Sequence, residues 1–120
     1  MFRFQRLDVW QKSVDFTETI LNITNQIPQR YQFSLGEQLR RAVISISTNI
    51  AEGSGRKSPK EAQNFYNIAK GSVYEVISLL TILFRLKIID DSGADKEAIY
   101  DQAEEIAKML TGLMRKQKKL

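Results

Sequence analysis

From Phe65 to Leu86, the residues Phe65, Ala69, Ser72, Val76, Leu79, Leu83 and Leu86 recur in alternating steps of four and three without a miss. A residue every three to four positions returns to the same flank of an α-helix, whereas a half-buried strand needs a step of two. No other stretch shows the period of two, so an all-α fold is predicted. A second stripe, Val73, Ile77, Leu80 and Phe84, runs beside the first. This helix therefore carries more apolar surface than one flank of a simple bundle uses.

Proline and glycine divide the rest of the chain. A first helix is expected over about residues 7–27, with Val9, Phe16, Ile20, Ile23 and Ile27 on one flank, Ser13 in the missing step and Pro28 as the stop,. A second is expected over about 35–53. Ser34 and Glu37 are spaced as a capping box at its start, and the glycines of Gly53-Ser54-Gly55 can take the left-handed conformation that closes a helix,. The third, about 59–87, opens with Ser58, Pro59 and Glu61, a second capping box with proline at the first helical position,. After Asp90-Asp91-Ser92-Gly93, a fourth helix over about 94–117 carries Ile99, Ala103, Ile106, Leu110 and Leu113. Four long amphipathic helices joined by short turns predict a single domain, an up-down-up-down antiparallel four-helix bundle.

The 120 residues include no Cys and no His. That excludes disulfides, thiol nucleophiles, imidazole catalysis and the Glu-x-x-His di-iron sites that helical bundles hold. Mg²⁺ chemistry on nucleotides needs carboxylates converging from two helices. Glu97, Asp101, Glu104 and Glu105 share one helix, and only Glu52 and Glu75 offer a second set. A Mg-dependent nucleotide hydrolase is therefore a remote alternative; no enzyme activity, cofactor or metal is expected. The most apolar stretch, Val76 to Leu86, contains Ser78, Thr81 and Arg85, so no membrane span is expected. The opening MFRFQRLDVW lacks a secretion signal, which points to the cytoplasm,.

The formal net charge is +4, and residues 1–60 carry nine Lys and Arg against five Asp and Glu. Such an excess suits a polyanionic partner. The nucleic-acid candidates are Arg40, Arg41, Arg56, Lys57, Lys60 and Lys70, with Arg115, Lys116, Lys118 and Lys119 near the C-terminus. Arg40 and Arg41 are adjacent, so at least one of them is displayed. Tyr31, Phe33, Tyr66 and Tyr100 are the aromatics that could stack on bases. A solvated charged face explains the same cations as well.

The stretch Ser45-Ile46-Ser47-Thr48-Asn49-Ile50-Ala51-Glu52-Gly53-Ser54-Gly55-Arg56 is polar for the end of a helix. Followed by Glu61, Phe65, Ala69, Gly71-Ser72 and Glu75, and preceded by Leu7-Asp8-Val9-Trp10, it resembles the four-helix bundle proteins encoded in intervening sequences of bacterial 23S ribosomal RNA. It is also similar to the accessory variability determinant of diversity-generating retroelements. The resemblance implies a homopentameric ring of antiparallel bundles without known catalysis. In the retroelement branch it implies a basic surface that engages nucleic acid and a reverse transcriptase.

Asn49, Glu52, Gly53 and Arg56 have a structural reading beside a partner-contact one, in which Asn49 and Glu52 hydrogen-bond the free N–H groups of the loop and Arg56. Gly71 sits mid-helix, where glycine costs about 1 kcal/mol relative to alanine, and a close helix–helix approach is the expected compensation. Glu75, beside Ser72, is expected to pair with a cation or with the loop near Arg56. Surplus apolar surface at Trp10, Val73, Ile77, Leu80 and Phe84 marks the expected contact between copies. The whole reads as a non-enzymatic oligomeric scaffold binding RNA or DNA through phosphates. The alternative is a protein–protein adaptor working through the acidic fourth helix.

Overall fold

The computed structural model describes residues 1–92 and 95–119, with side chains up to residue 116. These residues form helices and turns and no strand. The α-helices are α1 (Asp8–Thr24), α2 (Glu37–Ser54), α3 (Pro59–Arg85) and α4 (Lys96–Lys119), and a 3₁₀ turn, Arg3–Arg6, precedes α1. Each packs against two others in a closed ring of α1, α2, α3 and α4, making a rod of 46 × 26 × 24 Å. Cross-contacts fix the antiparallel order. Ser45 meets Ser72 and Gln38 meets Glu75 between α2 and α3, while Lys70 meets Thr111 and Thr81 meets Tyr100 between α3 and α4.

The expected stripes form the core, except at Leu86, which lies past the last turn of α3 and is 65% exposed. Phe16, Ile20, Leu39, Ile46, Ile50, Val76, Leu83, Ile106 and Leu110 are fully buried, and Ser13 joins them in the missing step of α1. Each such apolar side chain contributes about 1.5–3 kcal/mol by leaving water. The buried Ser and Thr hydroxyls are all bonded: Ser13 to the Trp10 carbonyl at 2.6 Å, Thr24 to Leu21 at 2.6 Å, Ser54 to Ala51 at 2.8 Å and Ser72 to the Ser45 hydroxyl at 2.9 Å. That bonding is what makes polar burial tolerable in a core.

The second stripe of α3 corrects an expectation. Val73, Leu80 and Phe84 are 1%, 0% and 6% exposed, so they lie inside the chain rather than on a face left for another copy. The reason is that α3 packs against α2 on one flank and α4 on the other, and so buries an unusually wide arc. By length and hydropathy α3 would also suit a membrane, but here it is the central helix of the core. Ile77 is half-buried against α4, and Trp10 packs edge-on to Phe4 at 5.0 Å. The exposed aliphatic side chains of α2 and α3 lie elsewhere, at Ile44, Ile68 and Ile82.

Helix ends depart from sequence expectation in three places. The first helix closes at Thr24, because Gln26 and Ile27 form shorter i→i+3 bonds and the Gln32 side-chain amide donates to the carbonyls of Thr24 (2.9 Å) and Ile27 (2.8 Å). The capping box at Ser34 is not made. A π-helical turn, Gln32–Gly36, leads into α2, and Ser34 bonds back to Tyr31 instead. Gly55 keeps an ordinary right-handed conformation, whereas the one left-handed residue among those described is Lys87, with φ of 56°. Lys87 closes α3: its N–H donates to Phe84 at 3.1 Å and that of Ile88 to Leu83 at 2.9 Å, the paired bonds of a Schellman motif,. The start of α3 matches its signal, with Pro59 first and the Ser58 hydroxyl accepting from the Glu61 N–H at 3.3 Å. Gly93 of the expected turn lies outside the described residues.

Candidate functional site

The antiparallel order brings the C-terminus of α2, the N-terminus of α3 and the C-terminus of α4 to one end of the rod. Gln63 donates to the Met114 carbonyl at 3.4 Å, tying α3 to α4 there, and Lys116 lies beside Leu7 at the start of α1. Cations from separate segments therefore gather at this end: Arg3 and Arg6 ahead of α1, Arg56, Lys57 and Lys60 around the α2–α3 turn, and Arg115 and Lys116 on α4. Lys57, Lys60, Arg115 and Lys116 are exposed. Arg56 is partly committed, lying 4.5 Å over the Phe65 ring and 3.5 Å from the Glu52 carboxylate. The side chains of Lys118 and Lys119 lie outside the described residues.

Arg40 and Arg41 sit far from this cluster, at the opposite end. Arg41 is displayed, with its side chain 80% exposed and paired with Glu37 at 2.9 Å. Arg40 is half-buried and donates to Gln32 Oε1 at 2.9 Å. Two of its nitrogens brace a helix cap, which orients the guanidinium without neutralising it. Gly36 makes room for that contact, since a Cβ there would stand 2.8 Å from Gln32 Oε1 and 3.3 Å from Arg40 Nη1. The same end carries the acidic α3–α4 turn. There the Ser92 backbone N–H and hydroxyl donate to Asp90 and hold its carboxyl below the ordinary value, and Lys96 pairs with Asp91 at 3.2 Å.

The polar end of α2 matches expectation in the Glu52–Arg56 pair and departs from it at Asn49. Asn49 turns back on its own helix, donating to Ser45 O at 2.8 Å and Ser45 Oγ at 2.9 Å, and Ser45 Oγ meets Ser72 Oγ at 2.9 Å. The result is a hydrogen-bonded seam between α2 and α3 rather than a clamp on the loop. Glu75 accepts from Gln38 at 3.4 Å on the same seam and does not reach Arg56. Gly53 is fixed by packing: a Cβ there would stand 2.6 Å from Tyr66 Cε1. Tyr66 is 2% exposed and so cannot stack on a base. Its burial raises the phenol pKa, which Arg3 nearby partly offsets. No helix approaches Gly71, for a Cβ there would meet nothing within 4 Å.

A groove of about 500 Å³ between α3 and α4 is a feature that helical periodicity does not foretell. Val73, Ile77, Ala103 and Ala107 form its apolar floor, and Tyr74, 63% exposed, stands at its edge. Lys70 crosses from α3 to bond Thr111 at 2.8 Å, with Lys108 and Arg115 on the α4 side. The sequence signal is the set of small residues Ala103, Ala107 and Gly112 on α4, which leave space where larger side chains would fill it. Glu104 lines the same groove, whereas Glu105 turns to the other flank and pairs with Lys12 of α1 at 2.7 Å, which raises the Lys12 pKa. Those acids therefore do not converge.

Residues 5–112 match a family model described as 23S rRNA-intervening sequence protein. A crystal structure at 1.70 Å of a protein of unknown function from the S23 ribosomal protein family of Bacteroides thetaiotaomicron VPI-5482 superposes with a TM-score of 0.78. The two sequences are 28% identical, and the match covers 88% of this chain and 97% of that one. Among curated proteins, none matches.

Proposed function

The chain belongs to the 23S rRNA-intervening sequence protein family, and on that premise we propose that it is a non-enzymatic, self-associating bundle that binds RNA or DNA through phosphate contacts at its basic end. The observation that carries this reading is the meeting of Arg3, Arg6, Lys57, Lys60, Arg115 and Lys116 at one end of the rod from segments distant in sequence. Phosphate recognition asks only for displayed cations that can replace condensed counterions, and its strength falls steeply with salt. Exposed Ile44, Ile68 and Ile82 support self-association, since they leave apolar surface in water around the α2–α3 seam,.

Binding of a labelled RNA or DNA strand, followed by fluorescence anisotropy across a salt series, tests the reading. The wild type is expected to lose affinity linearly in log–log form. Replacing Lys57, Lys60 and Lys116 together by Gln should flatten the slope by about 0.7–0.9 for each phosphate no longer neutralised. Arg41→Gln, at the far end, should leave the slope unchanged. Absence of binding at low salt sinks the proposal. Sedimentation velocity at micromolar concentration tests self-association, and a lone monomer would refute it.

A further inference from the structure

The groove between α3 and α4 opens toward the basic end of the rod, because Arg115 lies at the end of α4 beside that cluster and Lys70 and Lys108 lie one to two helical turns deeper. From Tyr100 to Arg115 the groove follows sixteen residues of α4, or about 22 Å at the rise of an α-helix,. Its floor is apolar and its edge aromatic, with cations at one end and Glu104 toward the other. None of Lys70, Lys108 and Arg115 forms an ion pair among the described residues. Tyr74 displays its ring to solvent, while Tyr100 is half-buried and anchored through its hydroxyl to Thr81 at 3.1 Å.

We propose that this groove seats the unpaired bases of a single-stranded nucleic acid, with Tyr74 as the stacking face and Lys70, Lys108 and Arg115 contacting the flanking phosphates. The inference rests on the nucleic-acid reading above and names which form of nucleic acid it favours. A base has two apolar faces, which a duplex hides against its neighbours and a single strand exposes. A floor with few hydrogen-bonding groups, beside an aromatic ring and backed by cations, suits such faces without selecting a sequence. The α3–α4 groove combines these elements, and it runs directly from the basic end. A phosphate chain held at the rod's end is thereby led toward the aromatic edge.

The test compares three probes of about 12 nucleotides at one salt concentration: a single strand, its duplex, and a strand of equal length whose sugars carry no bases. All three carry phosphates, but only the first offers free base faces. The single strand is expected to bind about tenfold tighter than the base-free strand, and tighter than the duplex. Tyr74→Ala should erase the advantage over the base-free strand, and Tyr74→Phe, which keeps the ring, should retain it. Lys57→Gln with Lys60→Gln should weaken the intact and base-free strands alike. Equal binding of intact and base-free strands overturns this inference and leaves phosphate binding standing. Binding of neither strand overturns both. If Tyr74→Ala changes the sedimentation of the protein alone, a second copy occupies the groove and the assignment to bases falls. Tyr74 is largely in solvent, so both variants should keep the wild-type far-UV circular dichroism.

Discussion

Arg40 Nη1 donates to Gln32 Oε1 at 2.9 Å, while the amide nitrogen of the same Gln32 donates to the carbonyls of Thr24 and Ile27. One side chain thus terminates α1 and ties it to the first turn of α2. Carbonyls at a helix end that lose their donor inside a partly buried turn cost about 1–3 kcal/mol. Gln32→Ala should therefore lower unfolding free energy by that order in urea titration. Arg40→Ala should cost less, because Gln32 would keep its two donor bonds. An exposed, freely mobile Gln32 would give no change in either variant.

Two of the helical glycines, Gly53 and Gly71, should respond in opposite directions. Gly53 faces the Tyr66 ring so closely that an added methyl must displace it, and overpacking of this kind costs about 1–3 kcal/mol. Gly71 faces open space, so Gly71→Ala should stabilise the monomer by up to about 1 kcal/mol through helix propensity alone. Thermal unfolding of both variants checks the contrast, and a destabilised Gly71→Ala would show that something covers that face.

Lys87 holds a left-handed conformation that suits glycine, and its side chain is exposed. The penalty for a residue with a Cβ there is about 1–2 kcal/mol. Lys87→Gly should raise the unfolding free energy by roughly 1 kcal/mol after the unfolded chain's added freedom is offset. A denaturant titration that shows no gain would mean that the Schellman closure at Ile88 is not populated in solution.

Tyr66 makes stability pH-dependent on the alkaline side. Burial raises its phenol pKa above the ordinary 10.0. The folded state therefore keeps a proton that the unfolded chain gives up first. The stabilisation is fully present below about pH 10 and is lost as pH rises through the higher folded value. Melting temperature should fall from about pH 9 to about pH 11, and Tyr66→Phe should reduce that fall. An identical fall in the variant would assign it to other groups, such as Lys12 losing its charge beside Glu105.

Periodicity is enough to place all four helices, because each has to bury one flank and the spacing of Val76, Leu79 and Leu83 leaves no other period. It also locates Ser58 and Pro59 as a start, since a cap is a local event. What it misses depends on contacts between segments. The spacing of Ser34 and Glu37 suggests a capping box, yet Gln32 takes a more demanding task at the end of α1. Gly53 looks like a helix stop, and its actual constraint is a ring on the next helix. The surplus stripe of α3 suggests a face for another copy, because nothing in one helix reveals that two neighbours flank it. Of the cationic candidates, the cluster at the α2–α3 turn comes together by topology, whereas Arg40 is held at the far end by its bonds to Gln32.

The gathering of cations at one end has a consequence for how this molecule moves. The far end balances Arg30, Arg40, Arg41, Arg85, Lys87 and Lys96 against Glu37, Asp90, Asp91, Asp95, Glu97 and Asp101, so the positive excess sits at one tip of a 46 Å rod. Such a body experiences a torque in the field of any large anion and swings its positive tip forward before contact. Its approach is end-on, and added salt weakens that alignment as it shortens the reach of the field.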